Sequence, residues 1–90
     1  MKTIHVIVEG LVQGVCFRDY TKKQAHQLNL SGWVRNNQDG TVEAIIRGAK
    51  GDVQSMLNWL TKGSPRSRVD NIRSHEVISE ELFTTFEIRY

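Results

Sequence analysis

A chain of 90 residues has room for one small domain and one thin core. Its 12 Lys and Arg against 10 Asp and Glu leave a net charge of +2, which argues against a nucleic-acid binder working by bulk charge, and its patterned 39% of hydrophobic residues with a single Pro argues against disorder. The lone cysteine, Cys16, excludes an internal disulfide and a thiolate zinc site, and apolar runs such as Val6-Ile7-Val8 are far too short to cross a membrane.

These features predict a soluble, cytoplasmic protein, complete from Met1, with residues 1–90 forming one unit without repeats or linkers. Ile4, Val6 and Val8 alternate with His5, Ile7 and Glu9, which is strand periodicity. Gly10 to Gly14 interrupts it. From Phe17 the spacing changes: Phe17, Thr21, Ala25 and Leu28 line one face of a helix, with Asp19 in the first turn facing the positive end of its dipole. Asn29 or Gly32 supplies the left-handed residue that closes it. A second strand runs from Trp33 to Asn36, and Asn37-Gln38-Asp39-Gly40 is a hairpin signal. In the third strand Val42, Ala44 and Ile46 share one face. Asp52 then reads as the N-cap of a helix carrying Val53, Met56, Leu57 and Leu60 on one stripe, closed by Gly63 and kept from resuming by Pro65. Val69 to Ile78 reads as a fourth strand, and Phe86, Ile88 and Tyr90 as a short fifth.

The order βαββαβ plus a short terminal strand, with right-handed crossovers, predicts an α+β ferredoxin-like split βαβ sandwich. Two helices cover one face of an antiparallel sheet. That plan hosts enzymes, RNA binders and regulatory modules, so chemistry must come from particular residues.

The segment Gly10-Leu11-Val12-Gln13-Gly14-Val15-Cys16-Phe17-Arg18 joins a strand to a helix start. Such a glycine-punctuated loop turns successive N–H groups toward one point, the helix N-terminus adds partial positive charge, and Arg18 adds a guanidinium fork that matches two phosphate oxygens. The plainer alternative is a tight turn beside a surface arginine; the spacing is not that of a Walker loop. Asn36, at the end of a strand, offers a donor and an acceptor to a ligand or a water, or is simply a turn-favouring residue.

The run Val8-x-Gly10-x-Val12-Gln13-Gly14-Val15-x-Phe17-Arg18 resembles the first signature of the acylphosphatase family. Gly32-Trp33-Val34-Arg35-Asn36-x-x-x-Gly40-x-Val42, completed by Gly48, resembles the second. The resemblance covers essentially the whole chain. With no long exposed apolar stripe, a low net charge and only short apolar runs, the chain is expected to be a monomer that binds neither nucleic acid nor membrane. The resemblance implies hydrolysis of the carboxyl–phosphate mixed anhydride of small acyl phosphates, without metal or cofactor. Inorganic phosphate or sulfate would compete as anions. It places the phosphate-binding arginine on Arg18, the backbone N–H cradle on Leu11, Val12, Gln13, Gly14, Val15, Cys16 and Phe17, and the water-orienting asparagine on Asn36. Gln13 and Gly14 take a shape role in it.

Other residues carry less. Cys16 lies inside the loop, where the helix end and Arg18 favour a thiolate, but a small half-buried side chain explains it more simply. His5, His26 and His75 have no spacing of a nucleophile or a metal pair. Trp33, Trp59, Phe17, Phe83 and Phe86 are expected mainly in the core. Lys62, Arg66, Arg68 and Arg73 read as a solvated basic surface, with steering of anionic substrates as the functional alternative. An RNA reader of this plan needs exposed sheet aromatics, and the third strand has none. A small-ligand sensor or regulatory module would bind an anion without turnover, and the sequence argues against it only through the pairing of Arg18 with Asn36. A related domain opening a larger maturation protein would act on carbamoyl phosphate.

Overall fold

The computed structural model describes all 90 residues. In chain order they form β1 (Lys2–Leu11), α1 (Phe17–Gln27), β2 (Ser31–Asn36), β3 (Val42–Gly48), α2 (Lys50–Lys62), β4 (Arg68–Glu76) and β5 (Phe86–Arg89). The sheet order is β4-β1-β3-β2-β5. Each strand–helix–strand unit skips one position: β3 slots between β1 and β2, and β1 slots between β3 and β4. This is the split βαβ plan. No helix is long and apolar enough to cross a membrane.

Alternation along the strands decides what faces the helices. Ile4, Val6 and Val8 of β1, Val34 of β2, and Val42, Ala44 and Ile46 of β3 turn to one side. There they meet Phe17 and Ala25 of α1 and Val53, Met56 and Leu60 of α2 in one buried cluster. Each Val, Ile, Leu, Met or Phe side chain there contributes about 1.5–3 kcal/mol when fully buried. Thr21, equally buried, returns its hydroxyl to the Phe17 carbonyl at 2.7 Å, so no polar group is orphaned on that helix face.

Several expectations need correction. The sheet is mixed rather than antiparallel: β5 runs parallel to β2, from Gly32 opposite Phe86 to Arg35 opposite Arg89. After β4 the chain crosses from one edge of the sheet to the other, and β5 therefore enters beside β2 in the same direction. The cap of α2 is Ala49, not Asp52; the Ala49 carbonyl takes the Val53 N–H at 2.9 Å, and Asp52 lies in the first turn, where it meets the helix dipole instead. Trp33 belongs to the face of the sheet opposite the helices. Val34 takes the core position beside it, and strand alternation turns the indole the other way. There the guanidiniums of Arg35 and Arg89 each lie 5.1 Å from its ring, leaving Trp33 only 8% exposed. Phe83 is covered in the same manner by Arg47, at 4.7 Å. Phe17 and Phe86 are in the core as expected, and Trp59 packs at its edge. Asn29, with φ 56°, closes α1 as the left-handed residue, and β4 stops at Glu76, two residues before the expected end.

Two details aim the chain at the loop after β1. Gly10 has φ 134° at a register shift between β1 and β4, and a β-carbon there would collide with the Arg68 carbonyl oxygen. The end of β1 therefore bends without leaving its neighbour. At the other end of the molecule His26 Nε2 donates to the Phe86 carbonyl at 3.1 Å, tying α1 to the start of β5.

The open face of the sheet carries a charged chain of contacts. His5 and Arg35 both donate to the Glu43 carboxylate. Burial pushes the Glu43 carboxyl up, but the hydrogen bonds from His5 and Arg35, and their charges, outweigh it and hold the group below the ordinary carboxylate range. Because the folded value is the lower one, the stabilisation is complete above the unfolded value of about 4.3 and is lost as pH falls through the folded value. Melting temperatures followed by circular dichroism should therefore fall more steeply below about pH 4.3 in the wild type than in Glu43→Gln. Equal acid slopes would contradict the pairing.

Candidate active site

The strand-to-helix connection leaves a concentration of donors. None of the backbone N–H groups from Val12 to Asp19 donates a hydrogen bond within the protein. The cause is local. Residues past Leu11 have left the ladder, and the first turn of α1 has no residue four positions earlier inside the helix. Gly14 (φ 74°) and Cys16 (φ 58°) are left-handed, with Val15 between them on the other side of the map; such alternation turns successive N–H groups inward as a nest. Cys16 accepts this geometry without being glycine, at a cost of order 1–2 kcal/mol. The nest and the N-terminus of the 11-residue α1 point their partial positive charge at the same place.

The side chains around it complete a cavity of about 300 Å³. Val12, Gly14, Cys16, Phe17, Arg18 and Asp19 line it from the loop and α1, Asn36 from the end of β2, and Ile88 and Tyr90 from the last strand and the chain's end. Arg18 is half-buried and forms no ion pair; its guanidinium lies over the Tyr90 ring at 5.0 Å. The Asn36 Oδ1 atom is buried and has no hydrogen-bond partner. An orphaned buried acceptor costs about 1–3 kcal/mol, so its persistence calls for a reason. No three His, Cys, Asp or Glu side chains are grouped as a metal site would group them.

Most residues singled out in the sequence converge here, with informative exceptions. Leu11 is still in β1, paired with Arg68, so the run of free N–H groups begins at Val12. Gln13 does not face the cavity. Its Nε2 donates to the carbonyls of Asn37 at 2.8 Å and Thr41 at 2.9 Å, which clamps the loop to the β2–β3 turn. The clamp holds the residue next to Asn36, so loop and asparagine are registered to each other. That turn is itself braced: the Thr41 hydroxyl and N–H donate to Asp39 Oδ1 at 2.7 and 3.0 Å, and these bonds hold the Asp39 carboxyl below its ordinary range. Val15 packs against the core and its carbonyl accepts from Ser64 Oγ. Phe17 anchors the loop's far end with a fully buried ring. Tyr90 and Ile88 were not singled out as site residues. Their alternation with Phe86 placed them on a strand, but only the parallel pairing with β2 brings that strand's end beside Arg18.

A small α+β protein that presents preformed anion donors beside an unpartnered acceptor is of a class suited to handling a small anionic molecule such as a phosphate. The acylphosphatase family model matches residues 4–88. The acylphosphatase of Bordetella parapertussis is 43% identical over 96% of this chain and 92% of its own length, and human acylphosphatase-2 is 43% identical over 100% and 94%. The crystal structure of acylphosphatase from Bacillus subtilis superposes with a TM-score of 0.95 at 39% identity, covering all of both chains. The chain belongs to the acylphosphatase family and is an enzyme, a hydrolase.

The clamp can be tested by itself. Gln13→Ala removes two part-buried hydrogen bonds and should lower the unfolding free energy by about 1–2 kcal/mol in urea titrations. An unchanged midpoint would mean that the loop and the β2–β3 turn are registered by other contacts.

Proposed function

We propose that the protein hydrolyses the carboxyl–phosphate bond of small acyl phosphates to carboxylate and inorganic phosphate, using no metal or cofactor, with residues 1–90 acting as one unit. The observation that carries this reading is the meeting of free donors with a free acceptor around one cavity: the N–H groups from Val12 to Asp19 have no acceptor within the protein, and Arg18, which forms no ion pair, lines the same cavity as Asn36, whose Oδ1 has no partner. Donors without partners suit an anion. An acceptor without a partner beside them suits the hydrogen of a water.

The chemistry asks for little more. An acyl phosphate has a good carboxylate leaving group, so acid catalysis is not the main need. The phosphoryl oxygens must be neutralised and a water aimed along the in-line path. The loop N–H groups and Arg18 neutralise, and being fixed in advance they need no reorganisation during reaction. The Arg18 guanidinium also lies over the Tyr90 ring at 5.0 Å, a cation–π contact at the rim of the cavity. Asn36 Oδ1 accepts one water hydrogen and leaves an oxygen lone pair directed at phosphorus. The amide is too weak a base to take a proton. The water's oxygen bonds to phosphorus, the bond from phosphorus to the acyl oxygen breaks with its electron pair on the carboxylate, and the water's proton passes to a phosphoryl oxygen. Cys16 takes no part in this sequence, and no covalent phosphoenzyme forms.

Release of inorganic phosphate from benzoyl phosphate, measured with a chelator present, tests the reading. The wild type should turn over and Cys16→Ser should retain activity. Arg18→Ala should lose about 100- to 1,000-fold in kcat/KM and bind phosphate poorly. Asn36→Ala should lose about 100-fold in kcat while phosphate still binds. Near-normal turnover in Asn36→Ala would remove the water-positioning role, and a wild type that binds phosphate without turnover would make the site an anion sensor.

A further inference from the structure

The cavity that suits an anion also carries a negative charge on its own wall. Among its lining residues Arg18 is the one cation and Asp19 the one acid. Asp19 is exposed, sits in the first turn of α1 and forms no ion pair. Arg18 is its neighbour in sequence, but consecutive helix residues stand about 100° apart and do not face each other. Lys22 and Lys23, one turn on, share an adjoining cleft with Asp19, and neither pairs with it. The carboxylate charge is therefore left without a neutralising partner. A space of about 300 Å³ is roughly 8 Å across, so a charge on its wall lies within about one screening length of an anion inside it.

We infer that Asp19 is a tethered counter-anion of this cavity, which weakens the enzyme's hold on inorganic phosphate and so speeds its departure after hydrolysis. The inference rests on the proposal above that the phosphoryl group sits in this cavity. While the cavity is empty, the carboxylate offsets the partial positive charge of the loop N–H groups and the helix end. Once phosphate is bound, the two negative charges repel. The same helix end attracts both anions, so the two effects have one cause and act in opposite directions. Asp19 stabilises the empty protein and opposes the bound ligand. An acid at a helix start that served stability alone would show the first effect without the second. The repulsion is felt by substrate and product alike. A cradle free of it would bind both more tightly, which adds nothing to kcat and delays release of the product.

The test is calorimetric titration of inorganic phosphate into the wild type, Asp19→Asn, Asp19→Ala and Arg18→Ala. Asp19→Asn keeps the shape of an exposed side chain and removes its charge. At low salt it should bind phosphate about three- to fivefold more tightly, the size of a repulsion between one and two charges across roughly 8 Å of water-like surroundings. Asp19→Ala should gain by a similar factor, which separates loss of the charge from a new hydrogen bond donated by the Asn amide. In about 1 M salt the gain should shrink below about twofold. Without phosphate, Asp19→Asn should melt about 2–5 °C lower than the wild type, and phosphate should raise its melting temperature by more. Unchanged or weaker phosphate binding in Asp19→Asn would overturn the inference, as would a gain in Asp19→Asn that Asp19→Ala lacks. In either case, loss of binding in Arg18→Ala would leave the phosphate cavity itself standing. Wild-type binding in Arg18→Ala would place the phosphate elsewhere and end both readings.

Discussion

Backbone N–H groups are costly to leave without acceptors, and the stretch from Val12 to Asp19 leaves every one of its own unbonded within the protein. Much of the molecule serves to hold that stretch in place. The β1–β3 and β1–β4 ladders fix where the strand ends, and Gly10 bends its last residues along β4. The Phe17 ring is driven into the core, so α1 must begin where it does. Gln13 clamps the loop on one side to the β2–β3 turn, and Ser64 meets it on the other from the turn after α2. Hydrophobic burial elsewhere offsets a local cost that makes sense once an anion is the intended partner.

The same arrangement places the groups that a backbone cradle lacks. Asn36 ends β2 just before the turn that Gln13 grips, so the distance between cradle and acceptor depends on that clamp. Arg18 is set by the helix, and its guanidinium lies over the Tyr90 ring, which is brought there by β5 running beside β2. On the far side of the sheet, Arg89 stacks on Trp33 and pairs with Glu81 and Glu87, holding down the strand whose other face presents Ile88 and whose end presents Tyr90. Electrostatics on the solvent face thus reach the site through a strand rather than through a direct contact.

Much of this was legible in the residues. The change from period two to helical spacing around Gly10 to Phe17 marked the loop, and Arg18 and Asn36 stood out by type and position within signatures that resemble one family. What stayed hidden was set by long-range pairing. Nothing local to Phe86–Arg89 says that it will lie parallel to β2, and without that neither Tyr90 beside Arg18 nor the second arginine, Arg89, over Trp33 can be foreseen. Gln13 showed itself as part of a motif but not as a clamp, because its acceptors are carbonyls, which carry no side-chain signature. Asp52 misled because a favoured capping residue one turn too late looks the same in sequence as one in place.

The most direct measurement is a titration of inorganic phosphate into the uniformly nitrogen-15-labelled protein, followed through its backbone amide resonances. Large saturable shifts should concentrate in the amides from Val12 to Asp19 and in the Asn36 side-chain amide, with the rest of the sheet nearly still. Shifts centred elsewhere, or none at concentrations that inhibit turnover, would show that the unbonded N–H groups are not where the enzyme holds its phosphate.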